Sequence, residues 1–74
     1  MNLYERKKIL ADARQLFKEK AYPDALQRCQ ILLDQSAPQV DVLALQALIQ
    51  QQSGNLAEAG KSLEQALRLS PDHP

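Results

Sequence analysis

Gly54-Asn55-Leu56-Ala57-Glu58-Ala59-Gly60-Lys61-Ser62-Leu63-Glu64-Gln65-Ala66-Leu67-Arg68-Leu69-Ser70-Pro71 reads as a turn, a helix start, one amphipathic helix and a stop. Gly54 suits the left-handed position that follows a preceding helix. Asn55 with Glu58 three residues on fits a capping box, in which each side chain satisfies a free amide at the helix start. Leu56, Ala59, Leu63, Ala66 and Leu67 recur at helical spacing. Ser70-Pro71 closes the helix, because proline disfavours helical geometry in the residue before it. The small pair Ala59-Gly60 predicts a very close helix contact at that point. The tail, Asp72-His73-Pro74, cannot continue a helix.

Upstream, a helix is predicted from Gln39 or Val40 to Gln52. Val42, Leu43, Ala44, Leu45, Ala47, Leu48 and Ile49 make it apolar on most sides, which predicts cover from more than one neighbour. Before it, Tyr22-Pro23-Asp24 opens a helix with proline at a tolerated early position. Ala25, Leu26, Cys29, Leu32 and Leu33 line one face, and Asp34–Pro38 ends it. The first helix starts near Asn2, where Asn2 and Glu5 form another capping-box pattern. Ile9, Ala13 and Leu16 form its stripe, Leu10 and Phe17 its shoulder, and it fades at 19–21. Short loops make neighbouring helices antiparallel, so patterning alone gives two helical hairpins.

The two hairpins superpose in sequence at an offset of 34 residues. Ile9 then pairs with Leu43, Ala13 with Ala47, Tyr22 with Leu56, Ala25 with Ala59, Cys29 with Leu63, Leu32 with Ala66, and Ser36 with Ser70, without a gap. That period belongs to a helix-turn-helix repeat, and here the chain resembles the tetratricopeptide repeat (TPR) family in two tandem copies. Repeat two, about 40–73, is the stronger match, with Gly54 at the turn, Ala59 and Ala66 at small-residue positions and Pro71 at the close. Repeat one, about 6–39, keeps Ala13, Leu16, Tyr22 and Ala25 but has Lys20 at the turn-glycine place and Pro38 one place late. Gln46 and Gln50 stand where the family carries a leucine and an aromatic residue. Ile9 and Leu43 stand where it carries tryptophan. The resemblance implies an all-α, right-handed stack of two antiparallel helical hairpins forming a single domain over 1–74. Two repeats leave the outer face of the fourth helix, with Leu67 and Leu69, in need of cover from a further helix, a second copy or a partner. The chain reads as the N-terminal segment of a longer protein.

Seventy-four residues bury only about 60% of the surface of the unfolded chain, so the stability margin is thin. One cysteine excludes an internal disulfide and fits a reducing, cytoplasmic setting. No apolar run is long enough for a bilayer, and charges interrupt the start before any secretory pattern forms. Formal net charge is zero, which argues against nucleic acid as the main partner. The charge is uneven, however. Residues 1–37 carry seven Lys/Arg against five Asp/Glu, and residues 38–74 two against four. The run Arg6-Lys7-Lys8 reads either as a phosphate contact or as a soluble helix end.

No catalytic constellation is visible. Cys29 sits at a core position with no histidine placed to activate it, and His73 lies between prolines near the end. Carboxylates are scattered, a lone Cys and a lone His make no metal site, and two glycines build no phosphate loop. No cofactor is expected, and the chain is read as non-enzymatic. The family resemblance implies a peptide- or protein-binding groove lined by the first helix of each repeat: Lys7, Leu10, Arg14, Phe17 and Lys18, then Asp41, Ala44, Leu48, Gln51 and Gln52. Spacing alone places the first five on one side of a helix. Three cations with two apolar groups suit a peptide carrying acidic and apolar residues. Leu10 and Phe17 also admit the plainer reading of shoulders that complete the core. The rival functions are a self-association module forming a homodimer and a docking appendage of a larger enzyme.

Overall fold

The computed structural model describes residues 2–35 and 39–69. It is an all-α fold of four helices: α1 (Leu3–Lys18), α2 (Tyr22–Gln35), α3 (Val40–Gln52) and α4 (Leu56–Leu69). Helices α1 and α2 pack as one hairpin and α3 and α4 as the other. The hairpins join through α3 against α2, with a lighter α1–α3 contact. Among the described residues there is no strand, and no helix is long and apolar enough to cross a membrane. The expected stops at Pro38 and Pro71, the Ser36–Ser70 pairing and the setting of His73 lie outside the described residues.

Each hairpin turns by the same device. After α1, the Lys20 amide donates to the Phe17 carbonyl (3.0 Å) and the Ala21 amide to the Leu16 carbonyl (2.9 Å). After α3, Gly54 donates to Gln51 (3.2 Å) and Asn55 to Gln50 (2.8 Å). This pair of reversed bonds satisfies carbonyls that the helix end leaves free, and it needs a residue with positive φ. Gly54 has φ 91° and Lys20 has φ 63°. A non-glycine residue is strained there, because its Cβ approaches its own carbonyl. Lys20→Gly is therefore expected to stabilise the domain by about 0.5–1 kcal/mol, the strain relief exceeding glycine's extra unfolded-state entropy. Gly54→Ala should cost about 1 kcal/mol for backbone reasons alone, since nothing lies within 4 Å of a Cβ built there. Urea unfolding of both variants checks the pair.

The start of α1 carries its predicted cap: the Glu5 amide donates to Asn2 Oδ1 at 2.8 Å. The second half of the box differs, because Glu5 accepts from the Asn2 side chain (3.1 Å). The box expected at Asn55 and Glu58 is not made. The Asn55 amide is already committed to the Gln50 carbonyl, its side chain faces Ser53 at 3.4 Å, and Glu58 pairs with Lys61 at 3.6 Å.

Helix α3 is the centre of the molecule. Val42 and Ile49, 1% and 0% exposed, form one buried stripe with Leu10 and Ala13 of α1 and Ala25, Cys29 and Leu32 of α2. Leu43, Ala47 and Gln50 form a second buried face, toward Ala59, Ser62 and Ala66 of α4. Its counterpart α1 has Lys8 and Gln15 at the repeat positions of Val42 and Ile49, and both are exposed. The near-uniform apolarity of α3 thus matches a helix covered by both hairpins.

Helix α4 packs on α3 alone among the described helices. Its contact residues Ala59 and Ala66 are buried, as small-residue packing predicts. Two expectations fail. Leu63, read as the equivalent of buried Cys29, is 48% exposed, because α2 has α3 beyond it and, among the described residues, no helix packs on that side of α4. Gly60 makes no close contact: it is exposed, and nothing lies within 4 Å of a Cβ built on it.

Candidate functional site

The residues expected to line a groove divide three ways. Lys7, Arg14 and Lys18 are exposed and share one face of α1, spaced by seven and four residues. None of them makes an ion pair among the described residues. On α3, Ala44, Leu48, Gln51 and Gln52 are exposed on a common face, with Leu48 42% open. Phe17 is half-buried, packed against the core with its ring tilted against Tyr22 at 6.0 Å between centroids.

Leu10 departs from the groove reading. It is only 6% exposed and belongs to the central apolar cluster. Its position, three residues before Ala13 and seven before Phe17, puts it on the side of α1 covered by the neighbouring helices. Asp41 departs in another way. It is exposed, but its two carboxylate oxygens each accept from the Arg6 guanidinium at 2.9 Å. Asp41 Oδ1 also accepts from the Val42 amide at 2.8 Å, at a helix start where negative charge is favoured. The pair ties α1 to α3 and removes Arg6 from the basic run, so Lys7 and Lys8 alone of that triplet are left to solvent.

A cleft of about 600 Å³ opens elsewhere, between α2 and α4 with α3 as its floor. Leu43, Gln46 and Gln50 form the floor, with Gln30, Leu33 and Asp34 on one wall and Ser62 on the other. Ser62 is 5% exposed and donates to Gln50 Oε1 at 2.7 Å; Gln46 Oε1 lies farther off at 3.3 Å. The signal for this polar floor was present in the chain, since Gln46 and Gln50 are where the repeat resemblance expects apolar residues. The serine on the facing helix carries no such mark. The equivalent of Gln50 in the first hairpin is Leu16, half-buried against the core.

A buried amide–hydroxyl pair contributes little beyond an apolar pair of the same shape, whereas removing one partner strands the other. We expect Gln50→Leu alone to cost about 1 kcal/mol, with Gln46 left as a longer acceptor for Ser62. The double variant Gln50→Leu/Ser62→Ala should recover that loss, giving a coupling energy of about 1 kcal/mol in a double-mutant cycle read by urea unfolding.

Cys29 is fully buried, and burial pushes its thiol from 9.0 up to about 11. It is protonated at neutral pH and structural in character. The open-face candidates Leu67 and Leu69 are 55% and 50% exposed, but they do not share a face. Leu69 turns toward Leu43 and lines a smaller cavity of about 230 Å³ with Gln65 and Arg68. Leu67 instead continues a stripe through Leu56, Gly60 and Leu63, at intervals of four, three and four residues. Among the described residues, no three His, Cys, Asp or Glu side chains gather as a metal site would require.

No family model, curated protein or solved structure matches the chain.

Proposed function

We propose that this chain is a TPR-type interaction module that binds a peptide or protein segment carrying acidic and apolar residues. The observation behind this reading is the α1 face of Lys7, Arg14 and Lys18, three cations without an internal acidic partner among the described residues. The exposed α3 face of Ala44, Leu48, Gln51 and Gln52 would offer the apolar and amide contacts. The Arg6–Asp41 pair fixes the two helices relative to each other, so such a surface would be largely preorganised. The reading is non-enzymatic and cytoplasmic, in keeping with a single buried, protonated thiol.

The test uses a fluorescein-labelled peptide series in which Asp and Glu alternate with Leu and Phe. Charge reversal by Lys7→Glu, Arg14→Glu and Lys18→Glu together is expected to weaken binding at least about tenfold and to flatten its salt dependence. Helical circular dichroism should not change, because all three side chains are exposed. Unchanged affinity and salt slope in the triple variant would discard this surface.

A further inference from the structure

We infer that α4 is a self-complementary docking helix, which pairs antiparallel with α4 of a second copy through Leu56, Gly60, Leu63 and Leu67. This surface is separate from the α1–α3 face, so each reading stands or falls alone. The three leucines are 68%, 48% and 55% exposed. Their spacing keeps all four residues on one narrow face, beside the side that Ala59, Ser62 and Ala66 bury against α3.

The occupant follows from the symmetry of this stripe. The four positions lie symmetrically about the point between Lys61 and Ser62. When a second α4 is laid antiparallel about a twofold axis through that point, Leu56 comes opposite Leu67 of the other copy and Gly60 opposite Leu63. Each large side chain then meets another leucine or a glycine notch, and every contact is made twice, as an isologous interface requires.

Gly60 is the second observation. Glycine inside a helix is unfavourable relative to alanine, and here the fold gives no reason for it, since a Cβ at Gly60 meets nothing within 4 Å. In the antiparallel pair the missing side chain is the space that receives Leu63 of the second copy. Charge is compatible as well. Glu64 beside the stripe is already paired with Arg68 of its own helix at 2.6 Å, and formal net charge is zero, so no long-range repulsion separates the copies. Three leucines from each chain make a small interface, so the dissociation constant is expected on the order of 100 µM.

Two measurements test the pairing on the whole 74-residue chain. Sedimentation equilibrium up to millimolar protein should show dimer, and Leu63→Glu should weaken it at least about tenfold with unchanged helical circular dichroism. Orientation is read by mixing Leu56→Cys with Leu67→Cys under oxidising conditions. The antiparallel register predicts cross-links between the two variants in preference to links within either one. Cys29 stays out of the reaction, being fully buried and protonated. A monomer at every concentration, a dimer indifferent to Leu63→Glu, or a preference for like-with-like cross-links would each overturn the proposal.

Discussion

Truncation of Ile49 to alanine is expected to cost about 3–4 kcal/mol, in the range for a fully buried aliphatic side chain whose surroundings cannot collapse. Ile49 is 0% exposed and lies in the stripe of α3 that faces both helices of the first hairpin. The void would therefore open between three helices, and filling it would require the two hairpins to shift together. A chain of 74 residues has a total stability of roughly 4–11 kcal/mol, so one substitution removes much or all of it. The melting temperature should fall by about 15–20 °C, or the cooperative transition should disappear. The neighbouring Leu48→Ala is the contrast. Leu48 is 42% exposed on the solvent-facing side of α3, and its truncation should cost less than about 1 kcal/mol. Equal effects at the two positions in thermal melts would show that α3 is not held against the first hairpin through Ile49.

Raising the pH to about 11 is expected to remove about 2–3 kcal/mol through Cys29 alone. The folded thiol holds its proton up to about 11, above its ordinary value of 9.0, because burial penalises the thiolate. Below 9.0 both the folded and the unfolded chain hold the proton, and this contribution is complete. Between 9.0 and about 11 the unfolded chain gives up the proton while the folded chain retains it. Over that window the unfolded state binds fewer protons, so stability falls as pH rises. Lysines and tyrosines also titrate there, so the measurement is the difference between wild type and Cys29→Ala in urea unfolding from pH 8 to pH 11. The wild type should lose stability more steeply. Parallel curves would mean that the thiol ionises in the folded domain as it does in solvent.

The two experiments share a structural cause: α3 completes the first hairpin. This is why the 34-residue correspondence holds for some pairs and not others. Ala13 and Ala47, Ala25 and Ala59, and Leu32 and Ala66 are all buried, because each sits in the contact between the two helices of its own hairpin. Cys29 and Leu63 diverge, 0% against 48% exposed, because that position meets the next helix in the chain. Spacing predicts which residues share a helix face. It does not say which faces find a neighbour.

The candidate surface shows the same limit. Lys7, Arg14 and Lys18 were legible as one exposed face, because charge and helical spacing agree there. Leu10 was not separable from them by spacing, since it lies between the cation face and the core; the packing of α1 against its neighbours turned it inward. Arg6 and Asp41 are 35 residues apart, and nothing local marks them as partners. The Gln50–Ser62 bond was half visible, as a glutamine in an apolar place, but the hydroxyl that accompanies it was not.

By itself, the sequence determined the four helices, their hairpin pairing and the turn at Gly54, because periodicity and a left-handed turn glycine act within a few positions of each other; the positive φ of Lys20 appeared only in the structure. Only the tertiary structure decided that Ser62 is buried and Leu63 exposed, that Leu67 and Leu69 face apart, and that Arg6 is held by Asp41. Those outcomes depend on which helix lies beside which. That is fixed by the placement of α3 between the first hairpin and α4, with no described helix beyond α4.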